Sequence, residues 1–149
     1  MNSPRPQRRR PRPAASTTPV YEAVTRDITV RVMPEYLPEQ SSRERGRWVW
    51  AYTVEIENRS QDQVQLVSRH WVITDALNRT EEVKGAGVVG EQPELKPGEA
   101  YRYSSACPLG TPSGLMRGSY QMVTPAGDHF DVAVPLFSLD LPEATVKLN

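Results

Sequence analysis

At 149 residues with 38% hydrophobic side chains, the chain suits one domain, and a core of that size needs no disulfide or structural metal. Its mean hydropathy is −0.57. No apolar run approaches the roughly 20 residues that span a bilayer, which excludes a helical channel or pump and any insertion into a membrane. The formal charge of zero conceals a split: Arg5, Arg8, Arg9, Arg10 and Arg12 stand in an opening stretch without acids, leaving 13 of the 18 basic residues against all 18 acidic ones, or −5 for the remainder.

Residues 1–19 are rich in Pro, Arg, Ser and Thr and almost devoid of bulky apolar side chains. Such a segment cannot offset its chain entropy by burial, so a disordered arm is expected there, with the domain proper over 20–149. The charge fits weak contact with nucleic acid, but there is no aromatic residue to stack on a base, which favours a solvated extension without function. The positive start is followed by no apolar segment, so no secretory leader is expected. The single cysteine, Cys107, has no internal partner, and a cytoplasmic location is expected.

From Val20 the pattern has period two. Ile28, Val30 and Val32 alternate with Asp27, Thr29 and Arg31, which predicts a strand with one buried face, ended by Pro34 and Pro38. Residues 39–47 are polar and read as an exposed loop. Trp48, Trp50, Tyr52, Val54 and Ile56 then share one face of the clearest strand, closed by Asn58-Arg59-Ser60. A third strand is predicted over 64–74, with Val64, Leu66, Ser68, His70 and Val72 on one side and Gln65, Val67, Arg69, Trp71 and Ile73 on the other. A turn at 75–78 leads to a short polar strand over 79–84, suited to a sheet edge. Residues 85–98 read as a long Gly/Pro loop and 99–106 as a weakly alternating strand. Residues 108–114 form another loop. A hairpin of 119–124 with 130–137 turns at Pro125-Ala126-Gly127-Asp128, and the last eight or so residues should fray. Trp48, Trp50 and Trp71 are expected to anchor the core.

No window holds a helical period, and 14 prolines and 9 glycines punctuate the chain. The reading is therefore all-β, with about seven or more short antiparallel strands in a sandwich, a closed barrel being the alternative. The stretches SRHW, GAGVVGEQP, PGE, SACPL and TPSGLMRGSYQM, with DHFDVAVPLFSL after them, resemble the ApaG family over roughly residues 21–142. That resemblance implies an immunoglobulin-like or fibronectin type III-like sandwich. It also implies a bacterial protein associated with cobalt and magnesium tolerance, whose eukaryotic counterparts serve as interaction modules. The Arg-rich start departs from the family pattern, so it inherits no role.

Gly85-Ala86-Gly87-Val88-Val89-Gly90 matches G-x-G-x-x-G. In a dinucleotide fold the next residues open a helix. Here Pro93 and Pro97 oppose a helix, and Glu91 and Glu94 would repel a phosphate. A backbone nest for a small anion remains an alternative to a purely structural loop. With Arg69 and Lys84 nearby, Gly85, Gly87 and Gly90 are the candidate ligand-binding residues. Arg69 and Trp71 share a strand face from which His70 points away, so the three cannot serve one cluster.

His70, His129, Asp75, Asp128, Asp131 and Cys107 are the available metal ligands, but none shows paired short spacing; Asp128-His129-Phe130-Asp131 could offer oxygen ligands to magnesium, though a turn entering a strand is the commoner explanation. No cofactor and no catalytic constellation are expected: Pro108 follows Cys107 directly, and Ser113 stands in turn chemistry. The expected role is non-enzymatic binding or adaptor work on an unidentified protein partner, linked only indirectly to cobalt and magnesium. The alternative is a sensor of an anion, nucleotide, pyrophosphate or divalent cation built on the glycine-rich loop. Open sheet edges also suit a homodimer.

Overall fold

The computed structural model describes residues 19–142. The arm expected to be disordered lies, save Pro19, outside the described residues, as does nearly all of the C-terminal stretch expected to fray. The described residues form nine strands: β1 Tyr21–Thr25, β2 Ile28–Tyr36, β3 Trp48–Asn58, β4 Val64–Asp75, β5 Thr80–Ala86, β6 Glu94–Leu95, β7 Ala100–Leu109, β8 Gly114–Val123 and β9 His129–Leu139. The first sheet runs β1-β2-β3-β7 and the second β5-β4-β8-β9, with β6 added to β4 beside β5; all pairings are antiparallel. This is the expected all-β sandwich. No helix among the described residues is long and apolar enough to cross a membrane.

The inner faces carry the alternating apolar residues. Ile28, Val30 and Val32 from β2 and Trp50, Tyr52, Val54 and Ile56 from β3 are buried against Leu66, Trp71, Met116, Tyr120, Met122, Val132 and Phe137 of the second sheet. Each fully buried side chain of this kind contributes about 1.5–3 kcal/mol. Trp71 lies edge-on to Tyr52 at 5.4 Å and to Tyr120 and Phe137 at 6.2 Å, so one indole ties both sheets. Tyr103 of β7 and Tyr120 of β8 meet hydroxyl to hydroxyl at 2.5 Å, a buried polar link across the sandwich. Trp50 is buried and donates its indole N–H to Asp140 O at 2.8 Å, while Trp48 is only half-buried.

Several predicted bounds change. Asp27 belongs to a tight turn rather than to a strand: Arg26 and Asp27 have φ of 50° and 65° between β1 and β2. Arg26 is held there by Asp128 at 3.0 Å and by the Phe130 ring at 4.0 Å. Pro34 does not end β2, because β1 pairs only as far as Val32, and proline is tolerated where a strand has a partner on one side alone. Val49 on the outer face is buried because the 38–47 loop folds over it, with Ser41 Oγ accepting its amide at 3.0 Å. β7 continues through Pro108 to Leu109, and β8 begins at Gly114, so both run longer than their alternation suggests.

The largest correction concerns β4. Its register with β8 shifts between Leu66 and Ser68, leaving Val67 as a bulge. Val64 and Leu66 therefore point inward with Trp71, not outward with Ser68 and His70. Alternation breaks because one extra residue resets the side-chain period.

Candidate functional site

The sequence candidates converge on the β4–β5 pair and the hairpin that follows it. β4 and β5 pair without a shift from Ser68↔Ala86 to Thr74↔Thr80. After Ala86 the chain turns tightly: Val88 and Glu91 exchange both backbone hydrogen bonds at 2.8 Å, leaving Val89-Gly90 as a two-residue turn. Val89 and Gly90 have φ of 40° and 84°, as the type I′ turns of tight hairpins require. Residues 85–98, expected as one long loop, are thus a tight hairpin and then β6.

The hairpin is braced from below. Gly87 donates its amide to Val67 O at 2.9 Å, and the Gln92 side chain donates to the same oxygen at 2.8 Å. The bulge at Val67 thereby presents a carbonyl that both ends of the loop use. Val88 is fully buried as the loop's apolar anchor. Gly87 is required here on two counts: its φ is +62°, and a Cβ would stand 2.2 Å from Glu91 O.

Arg69 braces the hairpin from its side. Its Nη1 donates to Gly87 O at 2.8 Å and to Ala86 O at 3.1 Å. The guanidinium lies across Gly85, on the strand face opposite His70, as the strand period requires. No carboxylate among the described residues pairs with it. Lys84, opposite His70 on the outer face, also lacks an ion-pair partner there, whereas His70 Nε2 meets Glu82 Oε1 at 3.2 Å.

On the outer face of the second sheet, Ser68, Arg69, His70, Lys84, Gly85, Gln121 and Asp131 line an open depression of about 440 Å³. Its floor is the backbone at Arg69 and Gly85. The wall is a hydrogen-bonded row, with Ser68 Oγ donating to Gln121 Oε1 at 2.8 Å and Gln121 Nε2 donating to Asp131 Oδ1 at 3.4 Å. Of the five predicted ligand-binding residues, the structure brings Arg69, Lys84 and Gly85 to this depression and leaves Gly87 and Gly90 in the hairpin. The hairpin amides of Gly87, Val88 and Glu91 are already bonded to carbonyls, which leaves few of the free donors that an anion nest needs.

The remaining candidates are scattered. Asp75 accepts the amides of Leu77 and Arg79 at 2.9 Å and the Arg79 side chain at 2.8 Å, and these bonds hold its carboxyl below the usual range. Asp128 pairs with Arg26, and exposed His129 begins β9. Burial pushes the Cys107 thiol up to about 11, so it is protonated at neutral pH. Among the described residues no three His, Cys, Asp or Glu side chains group as metal ligands would.

Sequence reasoning passed over Val89. Among the described residues four non-glycine positions have positive φ: Arg26, Asp27, Asn78 and Val89. Asn and Asp tolerate this region, and Arg26 is held by Phe130 and Asp128. Val89 is β-branched, strained there, and 56% exposed at the tip of the hairpin. The available signal was a valine directly before glycine in a two-residue turn.

Strand order, inner-face alternation and the lack of long helices among the described residues define an antiparallel β-sandwich of the immunoglobulin-like or fibronectin type III-like kind. The ApaG domain family model matches residues 38–124. The chain is 65% identical over 134 residues to Protein ApaG of Caulobacter vibrioides, covering 90% of this chain and 96% of that one. It is 56% identical over 130 residues to Protein ApaG of Beijerinckia indica, covering 87% and 100%. A crystal structure from Bordetella pertussis, of a protein provisionally called ApaA, superposes with a TM-score of 0.76 at 46% identity, over 86% of this chain and 99% of that one. This chain belongs to the ApaG family.

Proposed function

We propose that this protein is a non-enzymatic adaptor of the cytoplasm whose contact with a partner protein centres on the hairpin of residues 86–92. The observation that carries this reading is Val89. A β-branched side chain with positive φ costs about 1–3 kcal/mol, and its exposed apolar surface returns nothing to the free domain. Asn, Asp or Gly would remove that cost. The braces from Arg69, Gln92 and buried Val88 hold the hairpin in one shape, so a partner would meet a preorganised apolar knob at little ordering cost. Any link to cobalt and magnesium homeostasis is placed downstream of that partner.

The test is a photoreactive side chain at position 89 of the full chain, with position 77 as the control, because Leu77 is at least as exposed, in a distant turn. A discrete adduct with another protein at 89 and none at 77 supports the reading; no adduct at 89 sinks it.

A second reading rests on a different observation: Lys84, His70 and Ser68 surround the Gly85 floor, and Lys84 carries no ion pair among the described residues. These groups suit a small anion such as pyrophosphate or a nucleotide, with or without a divalent cation. Ligand binding stabilises the folded state. A melting temperature unmoved by millimolar pyrophosphate, ATP, Mg²⁺ or Co²⁺ therefore counts against a sensor. A rise that Lys84→Gln abolishes supports one.

A further inference from the structure

We propose that β5 is a self-pairing edge through which two copies of this chain join their second sheets into one. This inference is independent of the hairpin reading. Among the described residues the strand edges differ in how they are protected. β9 is bulged against β8 and lies along β1, to which it is tied by Ala133 N–H on Thr25 Oγ1 at 3.1 Å. β1 has five residues, and β7 carries Pro108 in its last turns of ladder. β5 has seven residues, none of them proline, in an unbroken register with β4 and with nothing paired on its far side.

The direction of its free groups follows from the ladder. Asp75 donates to Arg79 O at 3.0 Å, and Gly87 donates to Val67 O at 2.9 Å. These two bonds bracket the β4–β5 register, so Glu81, Val83 and Gly85 bond inward to β4. The amides and carbonyls of Thr80, Glu82, Lys84 and Ala86 therefore point outward from the edge, the Ala86 carbonyl alone already accepting from Arg69 Nη1.

An antiparallel two-fold through Val83 gives each of these groups a partner on the second copy. It sets Glu82 opposite the second copy's Lys84 and Thr80 opposite its Ala86, each as a hydrogen-bonded pair. On the outer face this gives two Glu82–Lys84 ion pairs, both directly cross-strand. Shifting the axis to Glu82 or Lys84 places like charges opposite each other instead. On the inner face Val83 meets Val83. Glu81 falls opposite the second copy's Gly85, the residue across which that copy's Arg69 guanidinium lies. One register thus supplies opposite charges to Lys84 and Arg69, which have no carboxylate partner among the described residues, using Glu82 and Glu81, the latter likewise without an ion pair there. A C2 interface requires that self-complementarity.

The experiment is sedimentation equilibrium of the full chain over a concentration series. The expected result is a monomer–dimer equilibrium that Lys84→Glu weakens by about tenfold or more, because both cross-strand pairs become like-charged. Glu82→Lys should weaken it similarly. An equimolar mixture of the two variants should recover a dimer, since each chain then offers the charges the other lacks. In the wild type, backbone amides of Glu82 and Lys84 should gain protection from hydrogen exchange as concentration rises; this measurement needs no variant to fold. A chain that stays monomeric at its highest soluble concentration overturns the proposal. So does a dimer indifferent to Lys84→Glu.

Discussion

The guanidinium of Arg69 occupies the space above Gly85: a Cβ on that glycine would stand 2.9 Å from Arg69 Nη1 and 3.0 Å from its Cζ. A side chain at position 85 would push the guanidinium off the carbonyls of Ala86 and Gly87. Gly85→Ala should therefore cost about 1–2 kcal/mol in urea unfolding, the worth of the hydrogen bonds it displaces. In an Arg69→Met background most of that cost should vanish, because the two changes remove the same interaction. Additive effects would show that Arg69 does not brace the hairpin.

The hairpin glycines should separate by what surrounds them. Gly87→Ala meets both a positive φ and a backbone oxygen at 2.2 Å, and a loss of about 3 kcal/mol or more is expected. Gly90→Ala meets open space and only the conformational cost, about 1 kcal/mol. Val89→Asn should instead raise stability by about 0.5–1 kcal/mol, since Asn-Gly suits a type I′ turn. Chemical denaturation of the three variants gives the order directly, and a neutral Gly87→Ala would refute the described turn.

The hydroxyl pair between the sheets predicts a non-additive series. Tyr103→Phe leaves the Tyr120 hydroxyl buried without its partner and should cost about 1–3 kcal/mol. Replacing both tyrosines by phenylalanine should recover part of that loss, because no orphaned group remains. A double variant less stable than either single one would argue that each hydroxyl has another partner.

The acid limb of stability should depend on Glu57. Burial raises the pKa of its carboxyl, but hydrogen bonds from Arg59 and Arg31, both at 3.3 Å, outweigh burial and hold the pKa below 4.5, the ordinary value. A carboxyl whose pKa falls on folding stabilises fully above its unfolded value. That stabilisation is lost as pH drops through the folded value. The melting temperature should thus decline as pH falls below about 4.5, and Glu57→Gln should make the decline shallower. An unchanged slope in thermal melts would rule out this ion-pair cluster as a source of acid sensitivity.

What could be read beforehand were the features set by nearest-neighbour periodicity. Alternation from Trp48 to Asn58 marked β3 and its buried face, and polarity marked β5 as an edge. Pro93 and Pro97 ruled out a nucleotide-binding helix after the glycines. The Val67 bulge was invisible, because a bulge is a mismatch between two strands and neither strand's own pattern records it. The pairing of Arg69 with Gly85 was equally hidden, since register fixes it and the guanidinium then reaches carbonyls 17 and 18 residues away.

An all-β chain with period-two faces, a Gly/Pro-punctuated turn pattern and an Arg-rich start are local properties, because each depends on a residue and its immediate neighbours. That the glycine-rich segment is a strained, braced hairpin with Val89 at its tip, and that β5 keeps an open edge, follows from long-range packing. Strain, bracing and unpaired hydrogen-bonding groups exist only once strands far apart in the chain lie side by side.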